Sequence, residues 1–234
     1  VIAEGFPVYM NDKIQSEPSI LDYNGEKIIF IGSKDDSFYS ISSNGEIRFS
    51  IETDGNIYTS PSFLDSDLGL MVFFGSEDGM IYSVDTSGES FPGWPISVGG
   101  GAIGSIVFGD IDGDGSHEII SSINSEIKIF NQDGSDFIYS SIIHDLPLSS
   151  APTISDINND GNLEVIVGTG TNLSSIDFKF ESNYISAWNM HRSNLKRTGF
   201  YLSTSNMNLG DINQDFVVDI LDIVLLINFV IGNT

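Results

Sequence analysis

The chain has 234 residues, of which 40% are hydrophobic, and this is enough to bury a sizeable core. Its 33 acidic and 9 basic residues give a formal net charge of -24, which argues against nucleic acid and anionic membrane surfaces as partners. The absence of cysteine excludes disulfides, thiol catalysis and cysteine-ligated zinc. Because the chain begins at Val1 rather than Met, we expect a fragment or a processed form, and a missing signal peptide is uninformative.

The first two hundred residues contain an internal repeat. The segment PSILD, which ends at Asp22, recurs as PSFLD ending at Asp65, and looser copies end at Asp110 and Asp156. The spacing of 43 to 46 residues divides the chain into four units near residues 5–46, 47–91, 92–137 and 138–187. Each unit holds three or four short runs of Ile, Val, Phe and Tyr between turn-forming residues, which predicts β-strands.

The length of the repeat indicates an architecture. A unit of about 45 residues with four strands is the size of one β-propeller blade. We therefore predict an all-β fold in which residues 1–201 form a β-propeller with four visible four-stranded blades. Propellers have about four to eight blades, so four could close, but the start of the chain at Val1 favours further blades upstream, and we expect this propeller to be incomplete. A solenoid of β-arcs is the structural alternative, although its repeats are usually shorter.

The third and fourth units each contain an aspartate-rich loop. Side-chain oxygens occupy positions 1, 3 and 5, a glycine follows at position 6, and a glutamate stands at position 9. Ca²⁺ takes six to eight oxygen ligands, and such a loop can bring them to one point, with a backbone carbonyl at position 7. A set of Asx turns is the alternative. The predicted calcium ligands are Asp110, Asp112, Asp114, Ser116 and Glu118, and Asp156, Asn158, Asp160, Asn162 and Glu164.

The first and second units lack this loop. Residues 22–26 and 65–69 stand in its place and are too short for it, so we predict plain hairpin turns without metal. The repeated region should therefore hold two calcium sites, not four. Their shared position in successive units indicates a structural role.

Two stretches resemble a known family. GWPISVGGGAIGSIVFGDIDGDGSHEII and APTISDINNDGNLEVIVGT resemble FG-GAP (VCBS, integrin-α-like) repeats, whose family forms β-propellers with calcium in such loops. The resemblance covers roughly residues 1–200 and is firmest in the second half. It implies a bacterial-type protein, secreted or on the cell surface, that serves as an adhesion, binding or scaffold module. The resemblance names no ligand, and a glycan or cell-surface ligand is our expectation for such a module.

The segment 188–192, continuing through residues 196–199, resembles a motif found near the end of such propellers in bacterial secreted proteins. It holds 3 of the 9 basic residues of the chain. We interpret it as a closing clasp on an acidic domain, and an anionic binding site is the alternative.

The composition changes after Tyr201. Residues 202–208 read as a polar linker, and residues 209–234 resemble one repeat of a type I dockerin, which implies attachment to a cohesin-like protein partner. Phe216 stands where this loop expects glycine, and only one of the family's two repeats is present. An apolar helix is predicted from Ile220 to Ile231, too short to cross a bilayer. The predicted ligands of this third calcium site are Asp211, Asn213, Asp215, Val217, Asp219 and Asp222.

No enzyme signature is present in the sequence. The three histidines, His117, His144 and His191, have no zinc-ligand spacing, and the well-spaced acids are better explained as metal loops than as a glycosidase pair. We therefore predict a non-catalytic chain. Two alternatives stay open: the non-catalytic C-terminal region of a larger secreted hydrolase acting on polysaccharide or protein, and a catalytic propeller.

Overall fold

The computed structural model describes residues 2–101, 104–180, 182, 188–194 and 196–203. Within these ranges the chain is all-β, with strands and turns but no α-helix, so the predicted fold class is confirmed at this level. No helix in the described part is long and apolar enough to span a membrane. The predicted linker from residue 204 onward, the dockerin-like loop and the helix at 220–231 lie outside the described residues.

The first two sheets each contain an antiparallel meander of four strands, and sheet one has a fifth strand from the end of the described chain. Sheet one contains β1 (Ser19–Tyr23), β2 (Glu26–Gly32), β3 (Ser37–Ser42) and β4 (Ile47–Glu52). Sheet two contains β5 (Ser62–Ser66), β6 (Gly69–Gly75), β7 (Met80–Val84) and β8 (Ile96–Ser97). In both sheets the order in space follows the order in the chain.

The last two sheets follow the same plan. Sheet three contains β9 (Val107–Gly109), β10 (Glu118–Ile123), β11 (Glu126–Phe130) and β12 (Asp136–Ile143). Sheet four contains β13 (Thr153–Ser155), β14 (Leu163–Gly168) and β15 (Leu173–Phe178), so its described part has three strands where four were predicted. Four sheets of this kind are compatible with the four predicted blades.

The boundaries of the sheets differ from those of the sequence units. The sheets cover residues 19–52, 62–97, 107–143 and 153–178, so each begins about fifteen residues after the start of its unit. A cyclic pattern has the same period wherever it is cut. The repeat therefore predicted the number and size of the units but could not say which strand comes first.

The first hairpin of sheet one and that of sheet two are tight turns, as predicted. In sheet one Tyr23 pairs with Glu26, so two residues make the turn, and both have positive φ (55° for Asn24 and 77° for Gly25). These angles match the turn that two-residue hairpins favour. In sheet two Ser66 pairs with Gly69, which again leaves two residues.

The chain returns from sheet four to the first strands of all four sheets. This closing segment, residues 188–194 and 196–203, ends in β16 (Phe200–Leu202), which pairs in parallel with β1. The Trp188 carbonyl accepts from the Phe108 N–H of β9, and the Asn189 carbonyl accepts from the Ile154 N–H of β13, both at 2.9 Å. Tyr201 and Ser203 donate hydroxyl hydrogen bonds to Asp65 of β5. The segment thus contacts β1, β5, β9 and β13, as a clasp would.

The core forms two main clusters. The larger packs sheets one and two against Trp188, which is fully buried and meets Phe63 edge to face at 5.4 Å. The smaller lies between sheets three and four and is mostly aliphatic. The two aspartate-rich loops connect β9 to β10 in sheet three and β13 to β14 in sheet four.

Candidate metal centres

The two aspartate-rich loops occupy equivalent places. Glu118 of β10 pairs with Gly109 of β9, and Glu164 of β14 pairs with Ser155 of β13. Eight residues therefore separate the two residues of this pair in each of these sheets, where two residues separate the last pair of the first hairpin in sheets one and two. The closing glutamate is the first residue of the second strand that pairs with the first strand, so the sheet itself holds it against the loop.

Both loops have the same backbone conformation. Positions 4 and 6 are left-handed in each, with φ of 78° at Gly113 and 93° at Gly115, and of 60° at Asn159 and 88° at Gly161. Glycine adopts such angles without strain, and asparagine tolerates them better than most residues. The need for a left-handed residue was predicted at position 6 but not at position 4. The Gly and Asn at position 4, Gly113 and Asn159, were the signal for it.

The hydrogen bonds of the loops also match. The N–H at position 2 donates to the glutamate at position 9, at 2.8 Å from Ile111 to Glu118 and 2.8 Å from Ile157 to Glu164. The N–H at position 6 donates to the aspartate at position 1, at 3.1 Å in the first loop and 3.0 Å in the second. Each loop is therefore wound around its own carboxylates, so that the position 1 and position 9 side chains are aimed inward.

Carboxylates converge in both loops. Oxygen atoms of Asp110, Asp112 and Glu118 lie within 4.8 Å of one another, and so do those of Asp156, Asp160 and Glu164. Asp110 is 2% exposed and Glu118 is 3% exposed. Among the described residues no lysine or arginine forms an ion pair with the first group. Buried acids in such a group repel one another unless a cation lies between them.

Burial and this repulsion raise the pKa values of two carboxyl groups in the first loop. Burial raises the pKa of Glu118 to about 8, and the charges of Asp112, Asp110 and Asp114 add to the increase, while the Ile111 N–H opposes it. Burial also raises the pKa of Asp112. Both groups are thus poorly compensated as anions, and a bound cation would supply the missing charge.

The second loop is better compensated. The Asn158 amide donates to Asp160 at 3.1 Å and to Glu164 at 3.0 Å. Lys179, which follows β15, lies 3.9 Å from Asp160 and also pairs with Asp177. The Asn162 N–H lowers the pKa of Asp160, with Asn158 and Lys179 contributing in the same direction. Lys179 could not be predicted from the loop motif, because it lies fifteen positions after Glu164, the last residue of the motif.

The structure brings together six of the ten ligands predicted in these two loops. Asp114 is outside the first carboxylate group, and its Oδ1 accepts the Ser116 N–H at 2.7 Å instead. In the second loop Asp160 belongs to the group and also accepts the Asn162 N–H, at 2.9 Å. Carbonyl ligation by Ser116 and Asn162 stays a prediction. The six predicted ligands between Asp211 and Asp222 lie outside the described residues.

The donor chemistry suits a hard divalent cation. The two groups offer only carboxylate oxygens, with the Asn158 side chain beside the second, and no sulfur or imidazole joins either group. Hard oxygen ligands favour Ca²⁺, Mg²⁺ or Mn²⁺ over Zn²⁺ or copper. Either group could therefore hold one metal ion.

Comparison with known proteins gives a likeness of fold. No family model matches the chain, and no curated protein matches it significantly. Its structure is similar to the crystal structure of BBS1N in complex with ARL6DN, soaked with mercury, with a TM-score of 0.51 and 12% identity over 69% of this chain. The chain covers 46% of that protein, so it spans about half its length. It is also similar to the computationally designed Ika4 protein, with a TM-score of 0.51 and 14% identity, covering 73% of this chain and 96% of Ika4. At these identities the similarity shows a β-rich fold alone.

Proposed function

We propose that this chain is a secreted, non-catalytic scaffold module of the FG-GAP type, whose four sheets are propeller blades and whose third and fourth blades are closed by Ca²⁺. The observation that carries the proposal is the match between the two loops. They connect equivalent strands, share two left-handed positions and wind around three converging carboxylates each. Two such loops in successive units are better explained by one bound cation in each loop than by two coincident sets of Asx turns.

Calcium is favoured over magnesium by the size and number of ligands. Each loop can supply two or three carboxylates and further oxygens, and Ca²⁺ takes six to eight oxygens in flexible geometry, whereas Mg²⁺ prefers six at near-ideal angles and keeps several waters. The role proposed for the ion is to hold the first hairpin of each blade.

The second part of the proposal is attachment. Residues 209–234 are proposed to bind a cohesin-like partner through the dockerin-like loop, on the strength of its ligand spacing. The module would then present the blade surfaces while the tail anchors it. A glycan or cell-surface ligand is the binding partner that we propose for the blades.

Calorimetric titration of Ca²⁺ into chelated protein, together with thermal unfolding, tests the calcium proposal. We expect sites with Kd of about 10⁻⁴ to 10⁻³ M, as in extracellular modules. At a calcium concentration of 100 times Kd, one such site stabilises the fold by about 2.7 kcal/mol. Mg²⁺ at the same concentration should give a smaller shift in Tm. Absence of both heat and a Tm shift would refute the proposal.

Variants assign each site. Asp112→Ala should remove the first site and Asn158→Ala the second, each leaving the other intact. Asp211→Ala tests the predicted third site. Asp145→Ala is the matched control, because this exposed aspartate lies outside both loops and its loss changes the net charge equally. If the control reduces calcium binding as much as Asp112→Ala does, the loops are not the sites.

A further inference from the structure

A polar cavity lies where the four units meet, away from the metal loops. The segments that lead into β1, β5, β9 and β13 each contribute to its wall, and the cavity encloses about 500 Å³. The metal loops follow β9 and β13, so they stand at the other end of these strands. Its volume is within the range of about 300–1,000 Å³ that is typical of small-molecule sites.

The lining of the cavity is rich in hydroxyl groups. Seven of the sixteen lining residues are Ser, Thr or Tyr, and only Ile166 and Leu173 are large aliphatic residues. The phenol ring of Tyr58 forms part of the wall, and the ammonium group of Lys34 lies 5.4 Å from its ring centre. Most of these hydroxyls already hydrogen-bond within the protein, so the lining is polar and carries one aromatic surface.

Glu17 is a fixed acceptor in this cavity. Its Oε2 accepts a hydrogen bond from Ser60 at 3.0 Å and lies 2.8 Å from the His191 Nε2 and 3.7 Å from the Arg192 guanidinium. The other ring nitrogen of His191 is 2.6 Å from the Ser105 hydroxyl. The carboxylate is therefore oriented by three side chains through one oxygen. Its Oε1 has no hydrogen-bond partner among the described residues and stays open to a ligand.

Arg197 supplies the complementary donor. It lines the same cavity, and within the described ranges its guanidinium makes no ion pair or side-chain hydrogen bond. Guanidinium groups offer five N–H donors and no acceptor, whereas the free Glu17 oxygen only accepts. A ligand that satisfies both must carry donors and acceptors together.

We propose that this cavity binds a neutral saccharide. Sugar hydroxyls donate to the open Glu17 oxygen and accept from Arg197, and one sugar face packs on the Tyr58 ring. An apolar ligand would leave the open Glu17 oxygen and the Arg197 guanidinium unpaired, which is costly. An anion would meet Glu17 and a chain of net charge -24. This inference gives the proposed module a ligand class and a location for it, and it rests on the proposed non-catalytic function.

The hydrogen-bonded series Ser105–His191–Glu17 has the residue types of a serine hydrolase triad. Ser105 is 2% exposed, and its hydroxyl is engaged with the Nδ1 of His191. We assign the series to positioning: Ser105 orients the imidazole, and the imidazole holds Glu17 in place.

Calorimetric titration of the full chain with cellohexaose, xylohexaose, mannohexaose and chitohexaose, in calcium-containing buffer, tests the proposal. At least one of these neutral hexamers should bind, and hexagalacturonic acid should not. Glu17→Gln should weaken that affinity about tenfold or more, because it removes the charge from a hydrogen-bond acceptor. Glu46→Gln, at an exposed position on the hairpin between β3 and β4, is the matched control and should bind like the wild type. The proposal is overturned if none of the four neutral hexamers binds, or if Glu17→Gln binds as tightly as the wild type.

Calcium titration of the same variants distinguishes the saccharide proposal from the calcium proposal. Asp112→Ala should lose calcium heat and keep saccharide binding, whereas Glu17→Gln should keep calcium heat. Saccharide binding without any calcium heat would sink the calcium proposal alone. Calcium heat with no saccharide binding would sink this one alone.

Discussion

Glu118→Gln should stabilise the calcium-free protein and destabilise the calcium-bound one. In the absence of a cation, burial and three neighbouring aspartates hold the pKa of Glu118 at about 8, against 4.5 for the ordinary group. A glutamine has nearly the same shape, keeps an oxygen for the Ile111 N–H and carries no charge. It therefore removes the electrostatic penalty of the loop, but it also removes a calcium ligand.

The raised pKa of Glu118 determines how the free energy of unfolding changes with pH. Between pH 4.5 and about 8 the unfolded chain ionises Glu118 while the folded chain keeps it protonated, so wild-type stability falls as pH rises through that window. One pKa unit corresponds to about 1.4 kcal/mol. The full shift thus amounts to several kcal/mol, and because the loop can open to water we expect about 2 kcal/mol to be measurable at pH 8.

Urea unfolding with chelator and with 5 mM calcium, at pH 5 and pH 8, measures the effect. With chelator at pH 8, Glu118→Gln should be about 2 kcal/mol more stable than the wild type, and the two should converge at pH 5. With calcium the order should reverse. Glu164→Gln is the matched control: its carboxylate already accepts from Asn158 and Ile157, so no gain is expected with chelator. If Glu118→Gln is less stable than the wild type in all four conditions, the electrostatic reasoning is wrong.

Three further predictions concern other parts of the structure. Trp188→Ala should cost about 3–5 kcal/mol in urea unfolding, because the fully buried indole joins the closing segment to the core, and Trp188→Phe should cost less. Gly25→Ala and Gly93→Ala both place alanine at positive φ, but only at Gly93 would the new methyl group meet the Asp133 carbonyl, so thermal unfolding should show Gly93→Ala as much the more damaging. Lys179→Ala should tighten calcium binding at the second loop in calorimetry, because a competing cation is removed. Equal Tm losses for the two glycine variants, or unchanged affinity without Lys179, would contradict these explanations.

Local patterns carried most of what could be predicted about the fold. Alternating apolar runs and a period of 43 to 46 residues predicted strands in four units, and the structure has four sheets. The short segments 22–26 and 65–69 predicted tight hairpins, and each turn has two residues. These features depend on neighbours within a few residues or on the repeat itself, so one sequence is enough to read them.

Contacts between distant segments could not be predicted in this way. The cavity is formed by four loops about 45 residues apart and by the closing segment. The spacing of residues within any one loop does not indicate that Glu17 and His191 are in contact. Lys179 reaches the second metal loop because β15 lies beside β14, which is a matter of register rather than motif. Asp114 fits the loop pattern as well as Asp160 does, but only Asp160 belongs to a carboxylate group, although each accepts the N–H two residues later.

The two core clusters differ in composition, and both sheets that carry the aspartate-rich loops contribute to the more aliphatic one. The larger core cluster has nine aromatic residues among 22, including Phe38 and Phe74 stacked 3.9 Å apart across sheets one and two. The smaller cluster, between sheets three and four, has only two aromatic residues among 12. Aromatic side chains bury more area each than aliphatic ones, and sheet three shares in both clusters, contributing Phe108 and Phe130 to the larger one, whereas sheet four packs only in the smaller. The first half of the chain has two-residue turns in its first hairpins. The second half replaces those turns with eight-residue loops of converging carboxylates, which destabilise a hairpin until a cation binds. A divalent ion in each loop would therefore supply the closure that the aliphatic core between sheets three and four lacks.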